Sequence, residues 1–329
     1  MRLLPDCRVL LIGGAGFIGS HMVKYLGSQG SRVTTLDDLS SGHRDAVLFG
    51  DLIVGDFGDQ TTLDEVFARG FDAVMHFASL IDVGESVKNP EKYFETNVAK
   101  TMNMLNSMVK HGVKKLIFSS TAATYGAPLY FPIDEAHPQN PVNPYGQSKL
   151  SVETALKQLD ARHGLKSVCL RYFNAAGADP AGELGERHNP ETHLIPLVLQ
   201  VASGKRPSIC VFGDDYDTPD GTCIRDYVHV SDLCLAHGLA LERLLAGCAS
   251  DAFNLGNARG YSVKEVIEVA EAVTGARIAS EYVPRRLGDP ARLVADASKA
   301  ISKLGWTTQY PQLQTMIEHA WKWERQLRR

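Results

Sequence analysis

Tyr145 and Lys149 are the two residues whose types and spacing point most directly to chemistry. They lie four positions apart in the run Pro144–Lys149, so a helix through this segment would place both side chains on one face. A tyrosine with a pKa of about 10 is a poor base at neutral pH. A neighbouring ammonium group and the positive ring of an oxidised nicotinamide would both favour the phenolate. The pair therefore predicts a base that takes a hydroxyl proton during hydride transfer, although the same spacing also occurs on ordinary surface helices.

A run of small hydroxyl residues, Phe118–Gly126, follows a predicted strand upstream of this pair. Within it, Thr121 is placed to hydrogen-bond the reacting oxygen beside Tyr145. The alternative is that these hydroxyls cap a helix or satisfy the backbone of a turn. Because the chain also contains the tyrosine–lysine pair, we predict that Thr121 completes a proton-transfer site with it.

Gly13, Gly16 and Gly19 form a GxxGxxG spacing between the first predicted strand and the first predicted helix. Such glycines allow a tight turn and bring backbone N–H groups close to a pyrophosphate at the positive end of the helix. A turn that binds no ligand would have the same spacing. Asp37 ends the second predicted strand, where a carboxylate can bind the hydroxyls of an adenosine ribose. Asp38 follows it, and because two acids would repel a 2′-phosphate, the sequence favours NAD over NADP, with a solvated acidic turn as the alternative.

Short apolar runs alternate with helical patterns in the first half of the chain. Strands that alternate with helices pair in parallel through right-handed crossovers, which predicts an α/β fold with a doubly wound parallel sheet of Rossmann type. The predicted strands are Arg8–Ile12, Arg32–Leu36, Leu52–Val54, Ala73–Phe77, Lys115–Ser119 and Ser167–Tyr172, and the predicted helices are His21–Gln29, Thr61–Arg69, Pro90–His111, Ser262–Val273 and Pro311–Gln326. Polar, Gly- and Pro-containing segments dominate after Gly177. We therefore expect an NAD-binding domain at residues 1–176 and a smaller mixed α/β substrate domain at residues 177–329, with segments that return to the first domain.

The composition is that of an ordinary globular protein, with 44% hydrophobic and 22% charged residues. The formal net charge of -4 argues against nucleic acid as the main partner. No apolar stretch approaches the roughly 18 residues of a membrane span, and the N-terminus lacks the cleavage site of a signal peptide. The six cysteines form no CxxC pair, so we expect reduced thiols, no bound metal and a cytoplasmic protein.

In their order along the chain, these motifs resemble those of the extended short-chain dehydrogenase/reductase family and, within it, of the UDP-glucose 4-epimerases. The resemblance runs from Val9 to about Trp323. The segments that carry it are GGAGFIGSH (Gly13–His21), LDDLSSGH (Leu36–His43), GDFGD (Gly55–Asp59), HFASLIDVGES (His76–Ser86), FSSTAATYG (Phe118–Gly126), PYGQSK (Pro144–Lys149), LRYFNAAGA (Leu170–Ala178), VFGDDYDTPDGTCIRDYVHV (Val211–Val230) and PRRLGD (Pro284–Asp289).

The resemblance implies reversible C4 epimerisation of a UDP-hexose (UDP-glucose or UDP-galactose) through a transient 4-keto intermediate on tightly bound NAD, in a homodimer. It implies that Tyr145, Lys149 and Thr121 are catalytic. The residues that it implies for NAD binding are Gly13, Gly16, Phe17, Ile18, Gly19, Asp37, Asp38, Leu39, Ser40, Ser41, Gly42, Asp56, Phe57, Phe77, Ala78, Ser79, Thr96, Asn97, Tyr145, Lys149 and Phe173. Those that it implies for UDP-sugar binding are Thr121, Tyr145, Asn174, His193, Leu194, Phe212, Arg225, Arg286 and Asp289, and guanidinium groups suit the diphosphate because they grip phosphate oxygens in pairs.

Departures from the family pattern bear on the substrate. Leu293 lies where side-chain size influences tolerance of N-acetylated sugars, so the preferred UDP-sugar is left open. A 4-epimerase of a UDP-N-acetylhexosamine, UDP-pentose or UDP-uronate is one alternative, and a non-catalytic nucleotide-sugar-binding or sensing module is another. Ala122 and Ala123 stand where a 4,6-dehydratase carries an Asp–Glu acid pair, which argues against dehydration. Ile81 stands where some members carry a lysine near the cofactor.

Overall fold

The computed structural model describes residues 6–286 and 289–327. Its strands are β1 (Arg8–Ile12), β2 (Arg32–Asp37), β3 (Asp51–Val54), β4 (Ala73–His76), β5 (Lys115–Thr121), β6 (Lys166–Tyr172), β7 (Asn174–Ala176), β8 (Ile209–Phe212), β9 (Ile224–His229), β10 (Asp251–Leu255), β11 (Gly260–Ser262), β12 (Ser280–Val283) and β13 (Arg292–Leu293). Its α-helices are α1 (Phe17–Ser28), α2 (Gln60–Phe67), α3 (Val83–Lys88), α4 (Pro90–Tyr93), α5 (Lys100–Lys110), α6 (Pro144–His163), α7 (Leu194–Ala202), α8 (Val230–Leu245), α9 (Val263–Thr274), α10 (Ser298–Leu304) and α11 (Leu313–Gln326). None of the helices in these two ranges is long and apolar enough to cross a membrane.

Seven strands form one parallel sheet in the order β10-β6-β5-β4-β1-β2-β3. The chain moves outward from β1 to β3 on one side and then from β4 to β6 on the other, so the direction of winding reverses between β1 and β4. In open α/β sheets a ligand binds outside the carboxyl ends of the strands at this reversal. The predicted doubly wound parallel sheet is confirmed.

Two apolar cores cover the two faces of this sheet. On one face, side chains of β1, β4, β5 and β6 pack with α1 and α8. On the other face, alternate side chains of the same strands pack with α2, α5 and α6. Because both faces are buried, the strands are nearly continuous apolar runs, as expected for a parallel sheet.

A third core joins α7, α9 and α11 with β8 and β9. The strands here form small sheets, in which β9 pairs antiparallel with β11 and parallel with β7 and β13, and β8 pairs parallel with β12. From the same half of the chain, β10 joins the large sheet beside β6 and α8 packs on α1. The division at residues 176 and 177 stays a prediction.

Two helices differ from their expected bounds by more than two residues. The first begins at Phe17 rather than His21, with Gly16 as its N-cap, because Gly19 has no side chain to collide with the turn before it. A Cβ on Gly19 would lie 2.1 Å from the Gly13 carbonyl oxygen. The single helix expected at Pro90–His111 is α4, a π-helical turn at Phe94–Ala99 and α5.

Candidate active site

The glycine turn joins β1 to α1 at the reversal of the sheet. Gly13 has a φ of +80°, and a Cβ on it would lie 2.4 Å from the Ala78 backbone nitrogen. Gly16 is different, because the nearest atom to a Cβ there, the Gly13 oxygen, is 3.6 Å away. No side chain caps α1 and no acid lies in its first turn. The backbone N–H groups of this helix end therefore suit an anion.

Asp37 lies at the end of β2 and braces the glycine turn. Its Oδ2 accepts a hydrogen bond from the Ala15 N–H at 2.9 Å, and its Oδ1 accepts one from the Leu39 N–H at 2.9 Å. Burial raises the pKa of the Asp37 carboxyl, although both N–H groups lower it. A Cβ on Gly42 would lie 2.9 Å from Asp37 Oδ1, so this loop closes against the carboxylate. Each oxygen retains a lone pair for a ribose hydroxyl.

The other residues predicted beside the adenosine lie around this strand end. Asp38 accepts hydrogen bonds from the Ser40 N–H (2.9 Å) and hydroxyl (2.6 Å). Asp56 pairs with Lys100 at 2.6 Å. Phe57 is buried beside His76, with ring centroids 5.2 Å apart. The structure thus places the two acidic turns after β2 and β3 side by side, since these strands are neighbours.

The segment after β4 lies against the glycine turn. The N–H groups of Phe77 and Ala78 both donate to the Ile12 carbonyl, at 2.8 and 3.0 Å. Asn97, within the π-helical turn, is buried and exchanges hydrogen bonds with the Leu80 backbone at 2.9 and 3.0 Å. Thr96 precedes it in the same turn, and Ser79 donates to the Leu80 carbonyl. These predicted cofactor residues therefore line one continuous edge of the reversal.

Thr121, Tyr145 and Lys149 come together at the end of β5. Asn143 caps α6, so Tyr145 and Lys149 lie in its first two turns on the same face. Tyr145 shares a hydrogen bond with the Thr121 hydroxyl. Lys149 is buried, its Nζ donates to the Ser119 carbonyl at 2.9 Å, and it lies 5.0 Å from the centroid of the Phe118 ring. The ammonium group has three N–H donors, so two are left for a ligand.

The pKa values of this pair are set by burial. Burial raises the pKa of Tyr145 to about 12, against a lowering by Thr121. Burial lowers the pKa of Lys149 to about 7. The loss of hydration thus opposes the charged forms of both groups, and the expectation that the Lys149 ammonium and an oxidised nicotinamide together favour the Tyr145 phenolate stays a prediction. The positive ring of an oxidised nicotinamide would add to any stabilisation that the Lys149 ammonium gives the phenolate.

The two predicted phosphate-binding arginines lie on adjoining segments. Arg225, on β9, forms an ion pair with Asp289 and donates to the Pro290 carbonyl at 2.9 Å. The guanidinium of Arg286 lies 3.8 Å from the centroid of the Phe212 ring. The structure thus joins the predicted substrate residues in two pairs. Leu287 and Gly288, between them in the PRRLGD segment, lie outside the described residues.

His193 lies in a cluster with Glu186, His188 and Glu191. Its Nδ1 is paired with Glu186 Oε1, and His188 Nδ1 lies 2.9 Å from the same oxygen. Burial lowers the pKa values of both imidazoles, but the two glutamates outweigh it, so the pKa of His193 is raised and that of His188 is raised to about 10. The potential metal-ligand atoms of these four residues lie within 4.8 Å of one another. If both imidazoles are protonated, their charges balance those of the two carboxylates without an added ion.

Leu293 is the residue that left the preferred UDP-sugar open in the sequence, and it packs beside the end of β5. With Phe173 it contacts an apolar cluster formed by Ala122, Tyr125 and Ile133. Asn174 begins β7 and donates to the Asp226 carbonyl at 3.1 Å. Leu194 begins α7. Leu293 thus packs against a cluster that includes Ala122, the residue after Thr121, and its effect on the choice of sugar stays a prediction.

Two groups of buried polar residues escaped the sequence analysis. One is Glu186, His188 and Glu191, and the other is an ion pair of Glu153 with Arg171. A signal for Glu153 was present, since it continues the spacing of four from Tyr145 and Lys149. Arg171 sits within an apolar strand, where its sequence context conceals its partner.

A glycine turn at the reversal of a doubly wound sheet, an acid at the next strand end, and a half-buried tyrosine with a buried lysine one helical turn away define a short-chain dehydrogenase/reductase. The family model for the NAD dependent epimerase/dehydratase family matches residues 9–256. The chain belongs to this family.

Known relatives match the chain over nearly its whole length. It is 53% identical to the UDP-glucose 4-epimerase of Halalkalibacterium halodurans, over 97% of this chain and 96% of that protein. The solved structure of the Brucella ovis UDP-glucose 4-epimerase in complex with NAD has a TM-score of 0.94 and 47% identity, and the match covers 96% of this chain and 98% of that one. The Bifidobacterium longum UDP-glucose 4-epimerase in complex with NAD+ and UDP has a TM-score of 0.93 and 39% identity, over 97% and 98% of the two chains.

Proposed function

We propose that the protein catalyses the reversible C4 epimerisation of UDP-glucose and UDP-galactose with bound NAD. The observation that carries this proposal is the half-buried Tyr145 beside Thr121, with the buried Lys149 one helical turn further on. Relatives at 47% to 53% identity are UDP-glucose 4-epimerases, and one was solved with NAD. Nothing in a non-catalytic binding module would require the phenol, the hydroxyl and the ammonium together.

The residues present fit NAD. The space over Gly16, the uncapped end of α1 and the Asp37 carboxylate suit the pyrophosphate and the adenosine ribose. The spare donors of Lys149 suit the nicotinamide ribose. Bound NAD would supply the hydride acceptor and donor at this site. The remaining predicted contacts, from Phe17 to Phe173, are part of the same proposal.

The chain's own residues would move the proton and hold the sugar. Thr121 orients the O4 hydroxyl, and Tyr145 takes its proton. Tyr145 returns the proton after the 4-keto sugar has rotated in the pocket. Arg225 and Arg286 grip the diphosphate, so the intermediate stays in the pocket while its sugar rotates. The Arg225 guanidinium would then bind both the Asp289 carboxylate and the phosphates. Asn174, His193, Leu194 and Phe212 complete the proposed UDP-sugar pocket.

Three coarser features belong to the same proposal. We expect an NAD-binding part at residues 1–176 and a substrate part at residues 177–329. All six cysteines are free thiols, which supports a cytoplasmic protein. A homodimer is supported by exposed apolar side chains on α3 and on the turn after α4.

The test is conversion of UDP-galactose to UDP-glucose by the purified protein without added cofactor, followed by chromatography. We expect conversion to an equilibrium mixture, and release of NAD on acid precipitation. Tyr145→Phe should retain NAD but lose about 100- to 10,000-fold in kcat, the usual contribution of a general base. Near-normal turnover by this variant would exclude Tyr145 as the base. Conversion of a UDP-pentose, UDP-uronate or UDP-N-acetylhexosamine, with UDP-galactose unchanged, would favour the alternative substrates.

A further inference from the structure

A buried polar network adjoins the predicted catalytic residues, and Glu153 is at its centre. Tyr145, Lys149 and Glu153 follow one another at intervals of four along α6, so they share one face of the helix. The side chain of Glu153 is 1% exposed and that of its partner Arg171 is 5% exposed. Neither residue takes part in the proposed reaction.

Each of the two carboxylate oxygens of Glu153 accepts two hydrogen bonds. Oε1 accepts from the Ser120 hydroxyl at 2.5 Å and from Arg171 Nε at 3.0 Å. Oε2 accepts from Arg171 Nη2 at 2.6 Å and from Gln139 Nε2 at 3.1 Å. This one side chain therefore ties α6 to β5, to β6 and to the loop between β5 and α6.

The network extends as a row across three parallel strands. Ser120 and Arg171 are partners in the β5–β6 register, and Arg171 and Asn254 are partners in the β6–β10 register. Arg171 Nη1 donates to the Tyr125 hydroxyl at 2.9 Å, which in turn donates to Asn254 Oδ1 at 2.7 Å. The polar row lies one residue before Thr121, at the carboxyl end of β5.

The end of β5 meets α6 through three consecutive residues, Ser119–Thr121. In order, they contact Lys149 through a backbone carbonyl, Glu153 through a hydroxyl and Tyr145 through a hydroxyl. The contact of Glu153 lies between the two contacts that the proposed chemistry uses. A shift of α6 along β5 would therefore break the Glu153 bonds and displace both catalytic residues.

The energetics fit a role in alignment more than in stability. Burial raises the pKa of the Glu153 carboxyl, but Arg171 and Ser120 outweigh it, so the pKa lies below its usual range and the group stays ionised. Buried ion pairs often contribute no more to stability than apolar residues of the same volume. Their geometry is strict, and a misplacement of about 1 Å at a reacting group can cost about 100-fold in rate.

We propose that Glu153 is a positioning residue, which holds Ser120 and Arg171 and so fixes α6 against β5 with Lys149 and Tyr145 in place beside Thr121. The kinetic consequence rests on the proposed epimerase function. The alignment of α6 against β5 does not depend on that function, so it is measured separately.

The first variant is Glu153→Gln, which keeps the shape but places an amide NH2 against the Arg171 guanidinium, whichever of the two oxygens it replaces. We expect kcat for UDP-galactose to fall about 10- to 100-fold, with KM and NAD content within about two-fold of the wild type. The acidic limb of the kcat–pH profile should move to higher pH, because a displaced Lys149 stabilises the Tyr145 phenolate less. A merely structural loss would lower kcat equally at every pH.

Asp160→Asn is the matched control on the same helix. Asp160 accepts from Lys166 Nζ (2.5 Å) and from the Ser250 hydroxyl (2.6 Å), but it lies far along α6 from Tyr145. We expect its kcat and pH profile to match the wild type. A pH shift in this control equal to that of Glu153→Gln would overturn the proposal.

A double variant, Glu153→Leu with Arg171→Met, separates stability from alignment. The apolar pair fills the volume and should bring the melting temperature back to that of the wild type. We expect kcat to stay as low as in Glu153→Gln, because no hydrogen bonds then fix the position of α6 along β5. Recovery of kcat together with stability would show that the ion pair only fills space.

Hydrogen exchange of the amides, followed by mass spectrometry, tests the alignment without any substrate. Glu153→Gln should speed exchange in residues 144–153 more than in residues 157–163, and Asp160→Asn should show the reverse. If both variants give the same exchange pattern, the proposal fails, whether or not the protein is an epimerase. If the wild type converts no UDP-galactose, the proposed function fails and this exchange pattern alone decides the role of Glu153.

Discussion

Lys149 is the residue at which function and stability conflict most directly. Its ammonium is buried and, within residues 6–286 and 289–327, has one backbone carbonyl and no carboxylate as partner. Burial lowers its pKa to about 7. The fold thus maintains a charge that it does not neutralise, which is characteristic of functional sites.

Lys149→Met should therefore abolish turnover while stabilising the protein stripped of NAD. We expect the free energy of unfolding at pH 6 to rise by roughly 2 kcal/mol, because an uncompensated buried charge is removed. Urea denaturation at pH 6 measures this. Lys157→Met, at an exposed position of the same helix, is the control and should change neither quantity. A less stable Lys149→Met protein would contradict the argument.

The same argument gives a pH dependence. The unfolded chain binds the lysine proton with a pKa of about 10.4, whereas the folded protein binds it with a pKa of about 7. Between these values the unfolded state holds more protons, so the stability of the wild type rises with pH. The difference between Lys149→Met and the wild type should be largest below pH 7 and should shrink as the pH approaches about 10.

At the scale of elements, the glycines between β1 and α1 have two different roles. Gly19 allows close packing, and Gly16 leaves space for a ligand. A Cβ on Gly19 would meet the Gly13 oxygen at 2.1 Å, so Gly19→Ala should destabilise the protein by roughly 2 kcal/mol or more. A Cβ on Gly16 meets nothing closer than 3.6 Å, and its φ of -78° suits alanine. Gly16→Ala should therefore keep the stability within about 1 kcal/mol.

NAD affinity distinguishes the two glycines. If the open space over Gly16 holds the pyrophosphate, Gly16→Ala should weaken NAD binding about ten-fold or more, since the backbone must approach the phosphates closely. Calorimetry with the stripped protein measures this. Unchanged NAD affinity in Gly16→Ala would place the pyrophosphate elsewhere.

Six of the seven strands of the large sheet were predicted because their signals are local, whereas β10 was not predicted. Buried runs such as RVLLI at Arg8–Ile12 and the glycine turn after it contain their own evidence for a strand and a helix start. The interruption of Pro90–His111 was not predictable, because the π-helical turn accompanies the long-range bonds of Asn97 to Leu80. Likewise, nothing near Glu153 in the sequence indicates Arg171 on another strand. Contacts of this kind depend on the register of distant elements.

At the scale of the whole molecule, a segment of the second half of the chain is tied to the glycine turn. The Arg187 carbonyl accepts a hydrogen bond from His43 Nε2–H at 3.0 Å, and the Arg187 guanidinium pairs with Asp45 at 2.7 Å. His188 lies edge-on to Phe17, with ring centroids 6.5 Å apart. The segment that carries His193 is therefore anchored beside the proposed cofactor, so binding of the two ligands is expected to be coupled.

The proposed homodimer makes the last prediction at this scale. Ile81, Val83, Val87 and Phe94 are apolar yet between 37% and 57% exposed, and they fall within 14 consecutive residues next to α6. Exposed apolar side chains gathered in one short segment suit an interface between copies. We expect a dimer in sedimentation at micromolar concentration. Val87→Glu should shift it toward the monomer, because a charge would be buried in the interface.

Leu129→Glu is the control, since Leu129 is 76% exposed in a different segment and should leave the dimer intact. A wild-type monomer would contradict the homodimer, and dissociation by both variants would show that the face at residues 81–94 is not specific. Because α3 packs on α6, such an interface would also brace the helix that carries Tyr145 and Lys149. Dissociation of the Val87→Glu protein should then lower kcat along with the oligomeric state, whereas a fully active monomer would separate assembly from catalysis.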